Sequence, residues 1–177
     1  LDMGSTQCPT VELFNKRLHE IISAEEERHG CTTDSTKTVA GRFIELCENL
    51  AKKSPHGQFV MLVDEYDKPL LGVLNTPEVI KFRDALKSFY SVIKTKEALQ
   101  RFTFITGISK FSKVSIFSDL NNLMDISMNA QFATLLGYTH SEVQEYFGYW
   151  IENLAASLSI SKEEAFAEII RWYDGYK

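Results

Sequence analysis

The sequence predicts an α/β protein: an incomplete three-layer core with a mostly parallel sheet, followed by an all-helical subdomain. Three observations carry that expectation. Two apolar, β-branched and aromatic runs, "FVMLV" at 59–63 and "RFTFITGIS" at 101–109, have the length and composition of strands. Between and before them, apolar residues recur at helical spacing, the alternation expected of parallel strands joined by helices. From Thr139 onward only helical periods remain. The expected division is therefore 1–136 for the core and 137–177 for the helical part.

Each element follows from its own residues. Pro9-Thr10 leads into Val11, Phe14, Leu18, Ile21 and Ile22, a helical face. The polar run "RHGCTTDSTK" is a loop, and Val39, Phe43, Leu46, Cys47 and Leu50 form the face of a second helix that "KKSPHG" ends. The continuous apolar run at 59–63 predicts a strand covered on both faces, as in parallel sheets between helices. Pro77-Glu78 opens a third helix with Val79, Phe82, Leu86, Phe89, Tyr90 and Ile93 inward. The second strand ends at Thr106-Gly107, and a weaker third strand is expected at 123–128, "LMDISM".

In the helical part, Thr139-x-x-Glu142 and Ser161-x-x-Glu164 are capping boxes. They precede Val143, Phe147, Ile151 and Leu154, then Phe166, Ile169, Ile170 and Tyr173, with Asp174-Gly175 as a stop. Helical spacing predicts that Tyr146, Phe147, Tyr149, Trp150, Trp172, Tyr173 and Tyr176 pack inward rather than form a stacking surface.

Composition narrows the function classes. With 177 residues, 44% of them apolar and 24% charged, the chain has a globular composition. A net charge of −5 argues against a generally basic nucleic-acid binder. Within 94–113, however, Lys94, Lys96, Arg101, Lys110 and Lys113 face a single acid, Glu97. That stretch is either an edge facing phosphate or nucleic acid, or a solvated helix end and loop. Cys8, Cys31 and Cys47 form no Cys-x-x-Cys pair and fit reduced thiols in a cytoplasmic protein. The four histidines show no zinc-ligand spacing. No apolar run is long enough to span a bilayer, and the opening "LDMGSTQCPT" has no signal-peptide character, so no membrane partner is expected. A start at Leu1 rather than Met suggests a piece of something longer.

The stretch "QFVMLVDEYDKPL" carries the chemistry. An apolar strand that runs into Asp64-Glu65 either surfaces in solvent or handles a metal ion and a water. In parallel sheets ligands gather at the carboxyl ends of strands. Nucleotide hydrolysis needs one carboxylate for the Mg²⁺ shell and another to polarise the attacking water. An apolar run ending in Asp-Glu has the Walker B form that supplies both. Thr106, at the end of the next strand, stands where such ATPases place a residue that senses the γ-phosphate. A metal-dependent nuclease of the PD-(D/E)XK type is disfavoured here. It needs acid and lysine two residues apart on one strand face, whereas Glu65 and Lys68 are three apart and expected on opposite faces.

The runs "VMLVDEYDKPLL", "FTFITGISKFSKVSIFSDLNNLMDIS", "LLGYTHSEVQEYF" and "WYDGYK" resemble successive signatures of the AAA-ATPase-like family. The resemblance implies a P-loop NTPase-like core with a helical lid, and a PD-(D/E)XK nuclease-like domain further on. It implies Asp64 as the Mg²⁺-coordinating acid, Glu65 as the water-activating base and Thr106 near the sensor position. ATP and Mg²⁺ are then the expected ligands of the full-length parent. The sequence departs from the family in one respect: it contains no G-x-x-x-x-G-K-[ST] phosphate loop. The 177 residues alone are thus expected to bind neither ligand tightly and to be inactive. Residues 1–4 are expected to be the tail of the strand after the phosphate-loop helix. The truncated sheet edge predicts self-association as a homo-oligomer or swapped dimer. Two other functions stay open: a non-hydrolysing regulatory or interaction scaffold, and a protein acting on nucleic acid through the nuclease-like domain.

Overall fold

The computed structural model describes residues 1–108, 116–117 and 120–173. They fall into two compact units, Leu1–Leu123 and Met124–Lys177. The first is mixed α/β, with four helices, α1 (Val11–His29), α2 (Val39–Lys53), α3 (Lys68–Leu71) and α4 (Val79–Thr95), around two strands, β1 (Phe59–Val63) and β2 (Gln100–Ile105). Side-chain caps fix the helix starts: Thr10 accepts from the Leu13 N–H, and Thr38 from the Gly41 N–H. Gly30, left-handed at φ 60°, ends α1.

The strands β1 and β2 are parallel, with Val63 opposite Ile105. Residues 1–3 add a short parallel stretch on the other side of β1. The Asp64 N–H donates to the Leu1 carbonyl at 2.9 Å, and the Met3 N–H to the Asp64 carbonyl at 3.0 Å. The lateral order is therefore 1–3, β1, β2.

Helices α1, α2 and α4 close one core with Met61 and Val63 of β1. Phe14 stacks on Phe82 at 5.1 Å and Phe43 on Phe89 at 4.6 Å, and all four are buried. Side chains of this size each contribute about 1.5–3 kcal/mol when withdrawn from water. The expectation that β1 is covered on both faces is not met among the described residues. Val60, Leu62 and Phe102 on the opposite face are 55%, 56% and 54% exposed. The run is continuously apolar because both faces are apolar, while the helices pack only on that of Met61 and Val63. Among the described residues this makes two layers rather than three.

The third strand expected at 123–128 is absent. Turn chemistry takes that segment instead: the Asp125 carboxylate accepts from the Ser127 N–H, and the Ile126 carbonyl accepts from the Asn129 N–H. A strand ladder would need those groups.

The second unit holds the pair α5 (His140–Leu158) and α6 (Lys162–Tyr173). Both capping boxes form, with Thr139 and Glu142 bonded reciprocally at the start of α5 and Ser161 and Glu164 at the start of α6. Ile151, Ala155 and Ala165 make the buried seam, flanked by Val143, Leu154, Phe166 and Ile169. Tyr146, Phe147, Tyr149, Trp150, Trp172 and Tyr173, expected to pack inward, are exposed. Tyr176 and the Asp174-Gly175 stop lie outside the described residues.

Candidate functional site

The carboxyl end of β1 departs from a regular strand. In a parallel ladder, the N–H and C=O of one residue bond to partners two positions apart on the neighbouring chain. Thr106 instead donates its N–H to Val63 at 2.8 Å and accepts from the N–H of Tyr66 at 3.0 Å, a span of one residue more. Asp64 and Glu65 together thus oppose Thr106, which makes a bulge. Glu65 absorbs the extra residue with φ 51°, a left-handed conformation that costs a non-glycine residue on the order of 1–2 kcal/mol. Strict alternation would send successive side chains to opposite faces. The bulge is what turns Glu65 out of that alternation.

Around this kink the polar groups converge. The Thr106 hydroxyl donates to Oδ1 of Asp64 at 2.5 Å, and the Glu65 N–H donates to the same oxygen at 2.9 Å. Among the described residues no donor reaches Oδ2 of Asp64. Oε2 of Glu65 lies 3.3 Å from Nζ of Lys68, an ion pair without hydrogen-bond geometry, and is closed to solvent. Asp2, whose backbone pairs with Asp64, accepts the Gly4 N–H on Oδ1 at 2.7 Å. A Cβ at Gly4 would stand 3.0 Å from that oxygen and 3.3 Å from Oε2 of Glu65. The bare glycine gives the two carboxylates their room.

The structure thus brings Asp64, Glu65 and Thr106 together at one strand end, adds Asp2 and Gly4, which sequence reasoning did not single out, and adds Lys68, which it weighed only against a nuclease motif. Glu65 and Lys68, expected on opposite faces, are in contact. The Lys68 N–H bonds the Glu65 carbonyl at 2.9 Å, so the two face each other across a turn that opens α3, not along a strand. A Gly four residues into the chain after an acid ("LDMG") is the one local sign that could have pointed to the Asp2 side. Lys110 and Lys113 of the basic stretch lie outside the described residues, and Lys96 is paired with Glu48 at 2.5 Å.

Among the described residues no three acidic, histidine or cysteine side chains converge to hold a metal ion by themselves. Mg²⁺ does not require that. It commonly keeps several waters and takes one or two carboxylates plus the oxygens of a bound phosphate. Asp64, exposed and with Oδ1 pinned by two donors, fits such a single-carboxylate role. No described helix is long and apolar enough to cross a membrane.

Residues 1–117 match the family described as AAA-ATPase-like, predicted AAA-ATPase. The chain is also 39% identical over 161 residues to the "Uncharacterized protein in vnfD 5'region" of Azotobacter chroococcum mcd 1. That match covers 90% of the chain but 29% of the relative, so the chain spans under a third of the relative's length. No solved structure matches.

Proposed function

The chain belongs to the AAA-ATPase-like family, and from that premise we propose that it carries the acidic half of an ATP-hydrolysing site in a P-loop NTPase-like core. Asp64 is the residue that would hold Mg²⁺, which when bound neutralises charge on the phosphate oxygens. Thr106 fixes the Asp64 carboxylate through its hydroxyl. Glu65 takes the proton of the attacking water. The observation that carries this reading is the bulge at Asp64-Glu65. A left-handed conformation on a glutamate is strained, and such strain concentrates at functional sites. Glu65→Gln in the full-length protein tests it. ATP turnover should fall by about 10²-fold or more, the usual contribution of a general base, with nucleotide binding retained. Equal turnover removes Glu65 as the base.

One observation favours a second reading, a non-hydrolysing scaffold. The Glu65 carboxylate is paired with Lys68 and its Oε2 is closed to solvent, a poor arrangement for accepting a proton from water. On that reading wild type and Glu65→Gln are equally inactive, and a cellular phenotype survives the change.

A further inference from the structure

We propose that Tyr66 is a positioning residue for the Glu65 carboxylate: its ring, seated over the bare Cα of Gly107, holds the bulge in place and so keeps Glu65 turned toward Lys68 and Gly4. The functional half of this inference rests on the ATPase reading above, whereas its structural half does not.

A strained conformation persists only where its surroundings over-determine it. Among the described residues, four contacts hold Tyr66, the next residue along. Its N–H is bonded to the Thr106 carbonyl at 3.0 Å. Its own carbonyl accepts the Tyr90 hydroxyl at 3.2 Å. Its ring lies 4.9 Å from that of Phe117, which in turn lies 5.4 Å from that of Tyr90. The fourth restraint is the closest: a Cβ at Gly107 would stand 2.5 Å from both Cδ1 and Cε1 of the Tyr66 ring, and 2.7 Å from Oδ1 of buried Asp67. Burial, then the negative charge of Asp67, raises the Tyr90 phenol well above its ordinary pKa, so it stays a donor.

The alternative that these contacts exclude is specific. If the bulge relaxed, the Glu65 N–H would replace that of Tyr66 on the Thr106 carbonyl and restore the regular ladder. Alternation would then send the Glu65 and Asp64 side chains to opposite faces. The Tyr66 ring fills the space beside the bare Gly107 Cα, and a shift by one residue would give up that seat.

Two variants disturb the lock from opposite sides: Tyr66→Leu removes the flat ring, and Gly107→Ala adds the excluded methyl. In thermal unfolding of the chain, Glu65→Gly should melt about 2–4 °C above Glu65→Ala, because glycine accepts the left-handed conformation. That gap should close in either the Tyr66→Leu or the Gly107→Ala background. An undiminished gap in both overturns the lock. In the full-length protein, Tyr66→Leu should lower kcat about tenfold with KM and nucleotide stoichiometry unchanged, and Tyr66→Phe should recover it. Unchanged kcat in Tyr66→Leu beside an inactive Glu65→Gln overturns the functional half and leaves the ATPase reading standing. A fully active Glu65→Gln removes that reading, and the melting comparison still decides the lock.

Discussion

The hydroxyl of Thr106 donates to Oδ1 of Asp64 at 2.5 Å, across the two strand ends and 42 residues apart in sequence. The bond ties the acid on β1 to the chain leaving β2, and a second donor, the Glu65 N–H, fixes the same oxygen. Thr106→Val keeps the shape and deletes the donor. We expect a stability loss of about 1 kcal/mol, the net worth of one such bond, read as a lower urea midpoint. In the full-length protein ATP turnover should fall about tenfold, as expected when an orienting contact at a reacting centre is lost, and Thr106→Ser should retain most of it. Wild-type turnover in Thr106→Val would detach Thr106 from the site.

A second prediction concerns the joint between α1 and α2. Arg42, 5% exposed, uses its whole guanidinium there. Nε donates to the Thr33 hydroxyl at 2.9 Å, Nη1 to His19 Nδ1 at 3.0 Å and to the His19 carbonyl at 3.3 Å, and Nη2 to Ser23 at 2.9 Å and Glu26 at 2.6 Å. Lysine has the charge but not the planar fork, so Arg42→Lys leaves several of these groups unpaired. The expected cost is about 3 kcal/mol, the lower range for breaking a buried ion pair. A urea midpoint within error of wild type would contradict it.

These two sites show what was legible in the sequence and what was not. Phe14, Leu18, Phe43, Leu46, Phe82 and Leu86 announce their helix faces through spacing, and all are buried as read. The strand ends at Asp64 and Thr106 were equally plain, because an apolar run that meets an acid or a glycine stops where its composition stops. The bulge was not, since left-handed backbone is signalled by Gly or Asn and here falls on a glutamate. Arg42 hid for a related reason: a cation beside Phe43 reads as the solvent side of a helix until Glu26 and His19 arrive from α1. The exposed rings of α5 and α6 misled in the opposite sense. Their spacing is helical, but Ile151, Ala155 and Ala165 make the buried seam and these rings lie off it.

The capping box of α5 yields a third prediction. Thr139 accepts the Glu142 N–H at 3.3 Å, and its own N–H bonds the Glu142 carboxylate at 2.7 Å. Thr139→Ala removes the hydroxyl and should cost about 1 kcal/mol locally. Hydrogen exchange of the first-turn amides of α5 should then accelerate about fivefold, the population change that such an energy produces. Exchange confined to its wild-type rate would show that the α5–α6 seam, not the cap, holds that end.

The fourth prediction is a pH dependence with its origin in His19. Burial, then the adjacent Arg42 guanidinium, lowers its pKa from the ordinary value of 6.5. Guanidinium nitrogens only donate, so Nδ1 of His19 must accept, which requires it to be unprotonated. Protonation would turn an N–H against the guanidinium and break the contact that Ser23 and Glu26 also share. In the window below 6.5 and above the lowered folded value, the unfolded chain therefore binds more protons than the folded one. Stability is fully present above that window and is lost as pH falls into it. The carboxylates whose values are lowered by hydrogen bonds, Glu45, Glu48 and Glu142, titrate below 4.5 and add their losses only at lower pH. Urea midpoints should thus decline between about pH 7 and pH 5, around the ordinary histidine value. His19→Gln, which retains an acceptor for Arg42 and cannot titrate, should flatten that decline. An identical slope in the variant would assign it to another group.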